Sequence, residues 1–214
     1  MRKFLPLLII LLIGIRCDQP DKQQKIQSVT GLVTEKAMVV SARKEASEIG
    51  KTIMQQGGNA FDAMVATELA LAVVYPVAGN IGGGGFMVYR KSNGETGALD
   101  YREKAPKSAR KNMYQDENGE IISGMSTLGA LAIGIPGTIA GIFEVHKEFG
   151  TLPMEALIQP AIDLAERGIV ITEKQAKTLN SRRSGFQKAN NYKILLDKTW
   201  EAGDVLQLKE LAAT

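Results

Sequence analysis

The apolar positions of the chain fall into runs whose spacing changes from one stretch to the next. Residues 37–42 (AMVVSA) form a short continuous apolar run with two valines at its centre, the pattern of a buried β-strand. The spacing then turns helical. Ala46, Ile49, Ile53 and Met54 share one helix face, and Gly57-Gly58 supplies the stop. Asn59 followed by Asp62 is close to a capping box, so a second helix is expected over AFDAMVATELALAVV until Pro76 forbids continuation. That stretch is apolar nearly all round, which places it between layers rather than on a surface.

Four consecutive glycines, 82–85, come next. FMVYR and TGALDYR then flank KSNGE, whose Asn93-Gly94 pair predicts a β-hairpin. Helical spacing returns over residues 136–149, with Ile139, Ile142, Phe143, Val145 and Phe149 as apolar positions and Gly150 as terminator. Pro153 opens a further helical pattern ending at Gly168, and Pro160 leaves open whether this is one helix or two. From Thr172 the chain is polar and mixed in charge, and Arg182-Arg183 reads as solvated surface. Buried helices over antiparallel strands suggest a layered domain of mixed α and β structure. The glycine run demands a reason, because glycine packs nothing and loses the most backbone entropy on folding. Either φ is positive there or something approaches the main chain closely.

The N-terminus differs in kind. Met1-Arg2-Lys3 is a basic n-region, and residues 4–15 form an apolar core of signal-peptide length, too short to span a membrane comfortably. The single cysteine, Cys17, follows directly, at the place where a bacterial lipoprotein signal puts its lipidated residue. Arg16 departs from the small residue usual there, and an uncleaved anchor or an incidental cysteine stands as the alternative. Both place the folded part outside the cytoplasm, in the periplasm or cell envelope. The polar, proline-containing stretch 18–30 reads as a tether, and one cysteine excludes an internal disulfide.

Composition narrows the chemistry further. A formal charge of +3 spread over 26 basic and 23 acidic residues in a 214-residue chain, without a basic stripe, argues against nucleic-acid binding. The glycine run is no dinucleotide fingerprint, since the third glycine position counted from Gly82 is Met87 and a strand follows. Gly50-Lys51-Thr52 is no P-loop, since Glu45 stands where the leading glycine belongs. One histidine, His146, and one cysteine make no metal site, and His146 without a partnered nucleophile makes no catalytic dyad. One charged spot remains at Tyr101-Arg102-Glu103. A guanidinium projecting from the hairpin edge into a cleft would suit a carboxylate held bidentately, and a surface pair of Arg102 with Glu103 or Asp100 is the plain alternative.

Taken together, GGNAFDAMVATELALAVVYPVAGNIGGGGFMVYR, ALDYREKAP, GIPGTIAG and GTLPMEALIQPAIDLAERG resemble the large subunit of bacterial γ-glutamyltranspeptidase, in order, from about residue 31 to about residue 211. The resemblance implies an α+β N-terminal-nucleophile hydrolase fold, a four-layer αββα sandwich of which 31–214 is the N-terminal portion. It implies a self-cleaving precursor whose small subunit exposes a threonine as nucleophile, acting on glutathione and related γ-glutamyl amides. No metal or cofactor is implied. It assigns Arg102 to the α-carboxylate of the γ-glutamyl group, with Glu103 orienting it, and reads the glycine run as close backbone packing. No catalytic residue is assigned within these 214 residues, and Thr214 is not that threonine. An acylase of the cephalosporin or glutaryl type shares the fold, and a non-catalytic envelope lipoprotein binding γ-glutamyl peptides is the alternative outside enzymes.

Overall fold

The computed structural model describes residues 31–190 and 192–214. The expected leader, Cys17 and the expected tether lie outside them. Residues 31–36 carry no helix or strand, and Ala37–Thr214 form a compact unit.

The centre of that unit is the helix that is apolar all round. α1 (Lys44–Gln55) ends at Gly57, whose φ of +96° is the left-handed stop that glycine accepts without strain. α2 (Ala60–Val74) follows and packs against α1 on one side and against two later helices on others. Most of its residues are buried, among them Val65, Ala66, Leu69, Ala70, Val73 and Val74. Each fully buried Val or Leu contributes on the order of 1.5–3 kcal/mol, so this helix supplies much of the core's stability.

The start of α2 is locked from a distance. Asn59 Oδ1 accepts from the N–H groups of Phe61 and Asp62, and the Asp62 carboxylate accepts from Asn59 N at 2.9 Å. The same carboxylate accepts from Thr151 N, Thr151 Oγ1 and Leu152 N, while Asn59 Nδ2 donates to Phe149 O at 2.7 Å. The cap of one helix thus holds the loop between two others, α3 (Thr138–Phe149) and α4 (Met154–Arg167).

The predicted hairpin forms as β1 (Phe86–Arg90) and β2 (Thr96–Asp100), antiparallel, with Phe86 opposite Asp100 and Arg90 opposite Thr96. Gly94, at φ +89°, closes the turn, and Lys91 N donates to Glu95 O at 2.7 Å. One face of the hairpin, with Met87, Tyr89 and Leu99, packs on the helices, where Phe61, Tyr89 and Phe149 form an aromatic cluster. The other face presents Phe86 and Val88 to solvent, at 63% and 83% exposure.

One feature departs from the sequence expectations, and two others are settled where the sequence left them open. Residues 37–42 form no strand; Val39 packs on the core, while Met38 and Val40 are exposed, because no strand lies beside them among the described residues. α4 runs unbroken through Pro160, since Leu157, Ala161, Leu164 and Ala165 bury one continuous face against α2 and the short α6 (Lys209–Ala213). The polar region after Thr172 is ordered: α5 (Glu173–Ala189) starts at a Thr172/Gln175 capping box, and Arg183 donates to Asp197 O and to Thr199 Oγ1. Before it, β3 (Ile169–Val170) pairs with β4 (Val205–Leu206) and brings the chain back to α4.

Candidate functional site

The glycine run and the Tyr101-Arg102-Glu103 segment are packed main chain to main chain. None of glycines 82–85 has φ in the left-handed region, so backbone conformation does not explain them. Close approach explains Gly84 and Gly85. A Cβ on Gly84 would stand 2.7–2.8 Å from Tyr101 O, Arg102 Cα and Glu103 N, all backbone atoms that cannot step aside. A Cβ on Gly85 would meet the Tyr101 ring at 2.8 Å, and Gly137, just before the third helix, and Gly141 within it are tighter still against Tyr101. Gly83 O accepts from Gly137 N and Thr138 N at 2.8 and 3.1 Å, tying the run to the start of α3.

Arg102 and Glu103 are therefore held between two backbone anchors. Tyr101 exchanges hydrogen bonds with Gly85, extending the hairpin ladder by one pair, and Lys104 exchanges them with Ile135. Asp100 Oδ1 accepts from Arg102 N at 3.0 Å. The side chains follow from this. Arg102 Nε donates to Glu103 Oε2 at 3.0 Å, and its guanidinium carbon lies 5.6 Å from the centre of the Phe86 ring. The Glu103 backbone N–H and the Arg102 guanidinium hold the Glu103 carboxyl below the usual carboxylate range. Among the described residues, the two terminal amino groups of Arg102 make no hydrogen bond. The ion pair with Glu103 read from sequence is present, and it uses only one edge of the guanidinium.

The expected cleft is not formed here. Arg102 is 58% exposed at the hairpin edge and does not line the cavity of about 610 Å³ nearby. That cavity is walled by Met38, Val39, Leu71, Tyr75, Asn80 and the Gly83-Gly84 backbone, with Glu68 among them. Glu68 is the residue that sequence reasoning passed over. Its carboxylate accepts from Tyr101 Oη at 3.1 and 3.4 Å. Burial pushes the Glu68 carboxyl up while the tyrosine hydroxyl pulls it down, and the net is upward. Burial and the Glu68 charge push the Tyr101 hydroxyl well above its ordinary value. The signal was visible: beyond the capping Asp62, Glu68 is the one charged residue in a fifteen-residue apolar helix.

With this geometry in view, the chain can be set beside known proteins. The sequence profile of the family described as Gamma-glutamyltranspeptidase matches residues 46–214. A glutathione hydrolase proenzyme of Pseudomonas sp. (strain A14) is 45% identical over 184 residues, covering 84% of this chain and 32% of that protein. The crystal structure of Helicobacter pylori gamma-glutamyltranspeptidase superposes with a TM-score of 0.80 at 45% identity, over 85% of this chain and 53% of that one. A cephalosporin acylase from Bacillus halodurans, at 21% identity and TM-score 0.65 over 86% of this chain and 39% of that one, is alike in fold alone. The chain spans about a third of the length of the relatives it matches in sequence.

Proposed function

The chain belongs to the γ-glutamyltranspeptidase family and is built on the α+β fold of the N-terminal-nucleophile hydrolases, and on that premise we propose that it is the N-terminal part of an exported γ-glutamyltranspeptidase. In the complete, self-cleaved protein, the γ-glutamyl group of glutathione or a related amide passes to water, an amino acid or a peptide. The nucleophile is a threonine of the small subunit from the same precursor. Its own α-amino group, with a pKa near ~8, serves as the base that histidine provides elsewhere. The threonine hydroxyl adds to the γ-carbonyl and the amine leaves with the transferred proton. Water or an acceptor amine then releases the acyl group.

This chain's share of the site is Arg102. The observation that carries the reading is the division of labour on its guanidinium: Nε is held by Glu103, and the terminal amino groups are left for a carboxylate to take both at once. The α-carboxylate of the γ-glutamyl group is the partner of matching shape and charge. The wall that closes the cleft over Arg102 comes from the rest of the precursor. The test is turnover of γ-glutamyl-p-nitroanilide against glutaryl-p-nitroanilide by the product of the full-length gene. Preference for the γ-glutamyl donor supports the reading, and preference for the glutaryl amide points to an acylase of the same fold.

Export is the second part of the proposal, resting on the Met1–Cys17 pattern. Labelling by a palmitate analogue is expected in cells and is expected to disappear with Cys17→Ala. Unchanged labelling of the variant would reject lipidation at Cys17.

A further inference from the structure

Tyr101 stands next to Arg102, and its side chain is fixed more firmly than a hairpin end requires. The ring lies against Gly85 and Gly141, each so close that a Cβ would collide with it, and the hydroxyl crosses to the carboxylate of Glu68 on α2. A phenylalanine would fill the same space between the glycines. What the hydroxyl adds is direction: a charge-assisted hydrogen bond between the end of β2 and the most buried helix of the unit. Among the described residues, no cation pairs with Glu68. Of the side chains lining the cavity on its far side, Glu68 is the only charged one and Tyr75 the only other titratable one.

We propose that Glu68 is a positioning residue for the donor carboxylate: acting through Tyr101, it fixes the backbone from which Arg102 reaches the α-carboxylate of the γ-glutamyl group. The proposal rests on the carboxylate reading of Arg102. Backbone bonds to Gly85 and Ile135 fix the Arg102 segment along the strand direction, and the Glu68–Tyr101 bond fixes the rotation of the strand end against α2. If that bond is lost, Tyr101 remains packed but the guanidinium samples a wider arc. Misplacement of the clamp weakens the grip on the carboxylate more than it affects reaction at the remote γ-carbonyl.

The experiment measures carboxylate selectivity in the complete precursor, as the ratio of kcat/KM for γ-glutamyl-p-nitroanilide to that for 4-aminobutyryl-p-nitroanilide, which lacks the α-carboxylate. The ratio is taken on one enzyme sample, so a variant that folds only in part still reports it. Arg102→Ala is expected to lower the ratio by about thirtyfold or more, and Tyr101→Phe and Glu68→Ala by about fivefold, expressed mainly in KM. Glu68→Gln, which keeps an acceptor for the tyrosine hydroxyl, is expected to stay within about twofold of the wild type. A collapse with Arg102→Ala alone, with Tyr101→Phe and Glu68→Ala unchanged, would overturn the positioning role while leaving the Arg102 reading intact. Equal losses in Glu68→Gln and Glu68→Ala would also overturn it, since the acceptor would then not be what matters. An unchanged ratio in Arg102→Ala would remove the premise and the proposal together.

Discussion

At Asp62 a carboxylate with no exposed surface is kept charged by its donors. Burial acts to raise its pKa, and the hydrogen bonds from Thr151, Asn59 and Leu152 together outweigh that and hold it low. Its contribution to stability is therefore present above the ordinary Asp pKa and is lost as pH falls through the depressed folded value. Asp62→Asn replaces an acceptor with a donor among donors and is expected to cost about 2–4 kcal/mol near neutral pH, with a smaller difference from wild type in acid. Thermal melts of the complete precursor across pH check both statements, and a difference independent of pH would contradict the charged state of Asp62. Glu68 has the opposite sign. Its raised pKa favours the folded state most below the unfolded value, and that advantage fades as pH rises through the folded one. The local half of such sites was legible in sequence. The Asn59/Asp62 box follows from spacing, whereas Thr151 lies 89 residues on and Tyr101 lies 33 residues from Glu68, distances over which no periodicity speaks.

Among the elements, the glycine run separates space from backbone conformation. A methyl group added at Gly84 would meet three backbone atoms within 3 Å, whereas one added at Gly82 meets only Asn80 Oδ1 at 3.5 Å, an ordinary contact. Gly84→Ala is expected to destabilise by about 2–3 kcal/mol and to displace the Arg102 segment, while Gly82→Ala stays within about 0.5 kcal/mol of the wild type. Denaturant midpoints of the two variants decide it; equal effects would mean that the run is needed for something other than this packing. Sequence spacing recovered α1, α2, the hairpin and α3 because each helix has an apolar period and a stop of its own and the hairpin has its Asn93-Gly94 turn. It missed the helix from Glu173 because packing of Ala176 and Leu179, rather than an apolar stripe, holds that helix in place. It expected a strand at 37–42 because two central valines satisfy the pattern, but a strand needs a neighbour, and pattern carries no information about where one lies.

On the scale of the whole molecule, the described residues leave apolar surface uncovered. Phe86 and Val88 on the outer face of the hairpin, Met38 and Val40 beside the cavity, and Ile133 and Ile135 near the Arg102 segment are all exposed. Surfaces of this kind recruit other chains. Expressed as these residues alone, the polypeptide is expected to self-associate and to show no γ-glutamyl transfer. Light scattering coupled to gel filtration tests the first point, and a monodisperse monomer with a sharp cooperative melt would contradict it. The most direct test of the account as a whole is kcat/KM for γ-glutamyl-p-nitroanilide in the complete precursor, wild type against Arg102→Ala. Loss of a charge-assisted carboxylate clamp in a closed site is expected to cost about 2–5 kcal/mol of transition-state binding, a fall of roughly thirtyfold or more, with Arg102→Lys recovering only part. A value for Arg102→Ala within about threefold of the wild type would contradict the account and leave Arg102 and Glu103 as a surface ion pair.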